Sequence, residues 1–418
     1  MKKTIILITF FFLSINLFSQ SKEDTTIFNI ERAVYYLASE QLQGRLPSTL
    51  GDTLSVEYVK KVFESYKIKP LFETYFQEVP FKEMASISKN PKQEGPKSNL
   101  SRNVIGVIEG TDKKLKNEYI VIGAHIDHLG FGGMMSSSRK RDEHKIHYGA
   151  DDNASGVSLM LDLARKFSSN PSKRSIIFIA FTCEEKGLIG SKYFVNNLPF
   201  PSNQIVAMFN FDMVGMLKDN KLTVGGSKTS KQSEKIIKKY SEKYNLNIKL
   251  SPGGIAPSDH SSFYLMDIPV FYFTTGADSN YHTPNDIPQR LNYKGIEILS
   301  SYAYDMANDV SNRDGRLKFK KVKEPKNNKS MSKLNVTLGI MPDVSQGCDN
   351  GLIVDAVSSG KPAEKAGIQN GDIIIELANK KVKDIYNYME ILSTLKPDTV
   401  ITARVKRKDK IIELKIKL

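Results

Sequence analysis

Ser175-Ile176-Ile177-Phe178-Ile179-Ala180-Phe181 is followed, through Thr182 and Cys183, by Glu184-Glu185. A continuous apolar run of this length suits a strand buried on both faces, as in a mostly parallel sheet. Three other runs share the pattern. Tyr119-Ile120-Val121-Ile122-Gly123-Ala124 leads into His125, and Ile205-Val206-Ala207-Met208-Phe209-Asn210-Phe211 leads into Asp212. Val270-Phe271-Tyr272-Phe273-Thr274 precedes a short loop that reaches His282. All four place charge or imidazole beyond the carboxyl end of a strand, where open α/β sheets build their sites. Ile30 to Leu37, Leu54 to Tyr66 and Val157 to Phe167 read as helices, and Asn103 to Ile108 as a further strand. The alternation predicts an α/β layer architecture.

The 418 residues are enough for two or three domains, and 40% hydrophobic with 25% charged residues is an ordinary globular balance. Lys2 and Lys3, the apolar run Thr4 to Phe18 and Ser19-Gln20-Ser21 have the layout of a signal peptide cleaved after Ser19. That run is short for a membrane span, which needs about 20 apolar residues, and no later segment is long enough. An exported protein, periplasmic or extracellular, without a stable membrane span is expected. Cys183 and Cys348 are too few and too distant for a disulfide framework, and read as two free, largely buried thiols.

The formal net charge is +14, and the stretch from Arg313 to Lys333 carries nine basic and two acidic residues, a net +7. No aromatic interleaving accompanies it, so a solvated linker is expected and a nucleic-acid partner is not. The linker separates a body, 20–312, from a tail, 334–418.

Several short motifs carry candidate chemistry. In His125-Ile126-Asp127 an imidazole at a strand end is followed by a carboxylate that can orient it. Gly149-Ala150-Asp151-Asp152-Asn153-Ala154-Ser155-Gly156 precedes a helix, where one Asp or Asn would serve as a cap and two adjacent Asp exceed that need. A carboxylate there is kept ionised by the helix dipole and can bridge two cations. Adjacent Glu184 and Glu185 repel unless a cation binds one and leaves the other as a base. Asp212, Ser258-Asp259-His260 and Tyr281-His282-Thr283-Pro284-Asn285-Asp286 complete the set. His128, His144 and His147 lie at or in a polar loop, Gly130 to Tyr148, and read as rim or solvent residues. His260 reads as structural.

In their order, these motifs resemble the two-zinc peptidases that include bacterial leucyl aminopeptidases, glutamate carboxypeptidase and glutaminyl cyclase. The resemblance covers about Ile30 to Asn312. It implies a mixed, mainly parallel sheet flanked by helices and two zinc ions per chain. By motif match, His125 and Asp212 would hold one zinc and Glu185 and His282 the other, with Asp152 bridging. Glu184 would be the general base, Asp127 the orienter of His125, and Tyr281 a contact to the tetrahedral intermediate. The Asp152–Asn153 peptide is expected to be cis. The motifs look most like those of aminopeptidases acting on peptides. A carboxypeptidase, a dipeptidase or a glutaminyl cyclase would use the same ligands, and a binding protein with an inactive site stands as a reading from another class.

The tail resembles a small PDZ domain of strands and two helices, through Gly351-Leu352-Ile353-Val354 and the stretch from Lys361 to Ile374 with its Gly371-Asp372 turn. Leu338-Gly339-Ile340 would be its carboxylate-binding loop, accepting a protein or peptide C-terminus by strand addition.

Overall fold

The structure is a computed structural model that describes residues 22–81, 100–133, 136–140, 143–322, 336–342, 351–357, 360–383 and 385–418. The expected signal peptide, Cys348 and the second half of the expected linker lie outside the described residues.

The body opens with helices α1 (Lys22–Leu37) and α2 (Leu50–Ser65), then strands β1 (Lys69–Pro70), β2 (Phe76–Pro80), β3 (Leu100–Ile108) and β4 (Tyr119–His125). Next come α3 (Gly156–Ser169), β5 (Ser175–Phe181), α4 (Ile189–Asn196), β6 (Ile205–Phe211), β7 (Lys221–Gly225), α5 (Ser233–Lys243) and β8 (Asn247–Leu250). The body closes with α6 (His260–Tyr264), β9 (Val270–Thr274) and α7 (Tyr293–Asn312). One sheet runs in the order β1-β3-β5-β4-β6-β9-β7-β8, with β2 also paired to β3. Its centre, β5-β4-β6-β9, is parallel throughout, while β3 and β7 join it antiparallel.

The apolar runs are continuous because both sheet faces are covered. Ile120, Ile122, Ile176 and Phe178 point into one core with α1, α2, α3 and α7. Val121, Ile177 and Ile179 point into the other with Phe194 of α4 and Phe263 of α6. Each fully buried side chain of this size contributes about 1.5–3 kcal/mol. The chain passes from β4 to β5 on one side, then crosses to β6 on the other. That reversal opens a crevice at the carboxyl end of β4, bounded by the four strand ends that carry the candidate residues.

The stretch expected to be a free linker does not begin at residue 313. Arg174 donates to the Arg313 carbonyl, and Arg316 to the Asn203 and Ile205 carbonyls. Leu317 is buried, Phe319 pairs with Ser230 as a β-bridge and packs on Tyr264, and Val322 N donates to the Tyr264 hydroxyl. The basic residues conceal two apolar anchors, Leu317 and Phe319, and a main-chain one at Val322. A chain ending at Asn312 should therefore be less stable to urea than one ending at Val322, by about 2–3 kcal/mol for the lost burial. Equal midpoints would show that 313–322 contributes nothing to the body.

The tail has its own core and sheet. Strands β10 (Ile340–Pro342), β11 (Leu352–Val357), β12 (Ile373–Leu377), β13 (Lys380–Lys381), β14 (Val400–Arg407) and β15 (Lys410–Lys417) accompany helices α8 (Pro362–Lys365) and α9 (Ile385–Thr394). The sheet order is β10-β11-β12-β14-β15, antiparallel, with β13 on β12. Leu338 is buried in that core, Gly339 takes a left-handed φ of 75°, and Ile340 begins the edge strand β10. The Gly371-Asp372 turn is held by Asp372, which is buried and accepts from Arg407 Nε at 2.7 Å and Nη2 at 2.8 Å.

Candidate metal centre

His125 ends β4, and its Nδ1 contacts the Asp127 carbonyl at 3.2 Å. His282 sits in the loop after β9, and its Nδ1 contacts the Ser137 carbonyl at 3.0 Å. A carbonyl only accepts, so in each ring Nδ1 carries a proton. Each Nε2 then turns toward carboxylates. His125 Nε2 lies 3.1 Å from Asp152 Oδ1 and 3.4 Å from Asp212 Oδ1. His282 Nε2 lies 3.0 Å from Asp152 Oδ2 and 3.1 Å from Glu185 Oε1, yet hydrogen-bonds to neither. Such atoms converge on a common point rather than on each other. The two oxygens of Asp152 thus face two different imidazoles.

The electrostatics agree with a cation site. Burial alone would lower both imidazoles, but the charges of Glu184 and Asp212 hold His125, and that of Glu185 holds His282, well above the usual range. Burial raises Glu184 well above the carboxylate range, and the charges of Asp212 and Glu185 add to it. For Glu185 burial is outweighed by the charge of His282 and a hydrogen bond to His128, which hold it at about 2. His125, Glu184 and Asp212 offer ligand atoms within 4.8 Å of one another, and so do His128, Asp152 and Glu185. The donor set of imidazoles and carboxylates fits zinc, which takes nitrogen and oxygen ligands at about 2.0–2.2 Å.

Two carboxylates position these groups through the main chain. Asp127 was expected to orient His125, but its Oδ1 lies 3.9 Å from the His125 ring, and the Asp127 carbonyl does that work. Its carboxylate instead accepts from Glu184 N at 2.9 Å and Glu185 N at 3.3 Å. Burial pushes it up to about 7. Asp286 does the same for the bridging segment, accepting from Asp151 N at 2.8 Å and Asp152 N at 3.0 Å. The Asp152–Asn153 peptide there is cis, as expected. Asn153 accepts from Gly156 N at the start of α3 and so takes the capping role.

Asp286→Asn should keep the fold yet turn an acceptor pair into one acceptor and one donor. Loss of an outer partner of a ligand typically lowers metal affinity about 10–100-fold. Competition with a chromogenic chelator measures this. Unchanged affinity would remove Asp286 from the site.

Other expected residues fall as follows. Asp212 accepts from Ser258 Oγ at 2.7 Å, and Ser258 in turn accepts from Asn210 Nδ2 at 2.7 Å. His260 stacks on Tyr272 at 4.3 Å, and burial lowers it to about 3, which suits a structural role. Tyr281 stacks on His282 at 3.7 Å, and burial with the neighbouring carboxylates keeps its hydroxyl protonated.

Two expectations about the polar loop fail. His128 and His147 are fully buried, and only His144 is exposed. The loop folds back over the site: Arg139 N donates to the His282 carbonyl, and Ser138 Oγ meets His147 Nε2 at 2.7 Å. The cue was the fourth residue of His125-Ile126-Asp127-His128, one step beyond the pair singled out.

Arg45, absent from the expected residues, is buried behind the crevice. It donates to the carbonyls of Ile126 at 2.8 Å, Leu37 at 2.6 Å, Tyr148 at 2.7 Å and Gly149 at 2.9 Å.

Comparison with known proteins places these features. Residues 103–307 match Peptidase family M28, and residues 327–418 match a PDZ domain. Aminopeptidase YwaD of Bacillus subtilis is 31% identical over 248 residues, 56% of this chain and 48% of YwaD. A probable leucine aminopeptidase 2 of Aspergillus oryzae is 26% identical over 244 residues, 49% of this chain and 45% of its own. The chain therefore spans about half the length of these curated relatives. The fold is that of BSAP, a zinc aminopeptidase from Bacillus subtilis, with a TM-score of 0.54 at 18% identity over 69% of this chain and 96% of BSAP. A Zn-dependent exopeptidase from Parabacteroides distasonis gives 0.54 at 16% identity, over 70% of this chain and 98% of its own.

Proposed function

Because this chain belongs to peptidase family M28 and carries a PDZ domain after the peptidase region, we propose that it is a two-zinc aminopeptidase that removes N-terminal residues from peptides. The observation that carries this reading is Asp152, whose Oδ1 and Oδ2 stand 3.1 Å and 3.0 Å from two different imidazoles. His125 and Asp212 would hold one ion, Glu185 and His282 the other, with Asp152 shared. When bound, zinc supplies Lewis-acid polarisation of a peptide carbonyl and makes water a better nucleophile near neutral pH.

The chain's own groups do the rest. Water adds to the scissile carbonyl carbon, and its proton passes to the Glu184 carboxylate. The C–N bond then breaks, and Glu184 returns the proton to the leaving amine. Asp127 fixes the Glu184-Glu185 main chain, which keeps base and ligand in register. Tyr281 keeps its proton and is placed beside His282 to donate to the oxyanion. The PDZ tail would bind extended peptide along β10, through Leu338, Gly339 and Ile340.

Metal analysis of the full chain and of Asp152→Asn tests the shared ligand. The reading expects two zinc ions per chain, and a variant whose zinc content falls by more than one ion. Loss of one ion or none would make Asp152 an ordinary ligand or no ligand.

A further inference from the structure

We infer that His128 is a further metal-ligating residue, completing the half of the site formed by Glu185, Asp152 and His282. The inference rests on the two-metal reading above and extends it to a residue outside that ligand set.

The His128 ring is fully buried, and its polar contacts among the described residues run to the site carboxylates. Its Nδ1 lies 3.0 Å from Glu185 Oε1 and 3.9 Å from Asp152 Oδ2. Its other nitrogen, Nε2, has no hydrogen-bond partner among the described residues. The ring thus turns one nitrogen, Nδ1, toward the carboxylates that would hold the ion, as His125 and His282 turn their Nε2.

The spacing matches the other ligands. Around a tetrahedral zinc with bonds near 2.0–2.1 Å, neighbouring ligand atoms stand about 3.3 Å apart. The proposed ligand pairs measure 3.1 Å for His125–Asp152, 3.4 Å for His125–Asp212, 3.0 Å for His282–Asp152 and 3.1 Å for His282–Glu185. At 3.0 Å, His128–Glu185 falls within that series, and the 3.9 Å to Asp152 is a wider ligand angle. The His128 and His282 rings meet edge to face with centroids 5.7 Å apart, so neither blocks the other. His128 also donates its main-chain N–H to the Arg45 carbonyl, which ties its placement to the same buried arginine that anchors the Gly149 loop.

The two halves would then differ. The Glu185 half has two imidazoles and two carboxylates, and the Asp212 half has one imidazole and two carboxylates. Metal should load in two steps, with the Glu185 half filling first.

The test is cadmium-113 NMR on the full chain, loaded with cadmium-113 and labelled with nitrogen-15 at histidine. Two cadmium signals are expected, one coupled to a single histidine nitrogen and the other to two. His128→Gln should remove one coupling from the second signal and weaken the tighter dissociation constant by about tenfold or more. The unsubstituted protein decides the matter even if the variant fails to fold. Two cadmium signals with one histidine coupling each would overturn the inference, leave the two-metal reading intact and reduce His128 to a hydrogen-bond donor for Glu185. A single cadmium signal, or none, would overturn both.

Discussion

Glu184→Gln is expected to lower turnover by about a thousandfold while metal content stays unchanged. General acid–base catalysis contributes about 10²–10⁴-fold, and the amide can neither take the proton nor return it. The shape of the side chain is kept, and so are the Glu184 and Glu185 amides on Asp127. Steady-state kinetics on a leucine anilide, with metal analysis of the same sample, measures both halves of the claim. The contrast is Glu185→Gln, where metal should be lost along with turnover. Equal metal loss in the two variants would mean that base and ligand are assigned the wrong way round.

Arg45→Met is expected to destabilise the protein by about 3–5 kcal/mol, the range for breaking a buried charged network by removing one member. Four carbonyls lose their donor at once, and they belong to three segments. Leu37 ends α1, Ile126 lies between His125 and Asp127, and Tyr148-Gly149 enters the Asp151-Asp152 segment. Burial pulls the Arg45 pKa down to about 10, while Asp152, Asp286, Asp127 and Glu185 favour its charged form. It therefore stays charged and gives the acidic crevice a fixed positive wall. Arg45→Lys keeps the charge but cannot serve carbonyls on three segments, and should recover only part of the loss. Urea denaturation of the three proteins measures the series. A Met variant within 1 kcal/mol of the natural chain would show the network to be dispensable.

The fold was legible because the four apolar runs are buried on both faces, which leaves little room for another assignment of Ile176 to Phe181. The ligands were legible because each sits where such a strand ends. What stayed hidden depends on the main chain. Nothing in the type of Asp127 or Asp286 says that its carboxylate will accept two consecutive amides rather than face an imidazole. His128 was hidden by its setting, since a histidine at the edge of a Gly- and Ser-rich loop looks the same whether the loop faces solvent or folds over His282. Arg45 carries a charge that reads as surface, and only the convergence of Leu37, Ile126 and Gly149 makes it interior. The stretch 313–322 misled for the opposite reason: its charges outnumber Leu317, Phe319 and Val322, which anchor it.

Mass spectrometry of a peptide digest tests the account most directly. Zinc-loaded full-length protein would be incubated with a leucine-led peptide in free-amine, N-acetylated and C-amidated forms. The account predicts stepwise loss of N-terminal residues from the free and amidated forms, and an intact acetylated peptide. Loss of C-terminal residues instead, with the acetylated peptide cut and the amidated one spared, would contradict it.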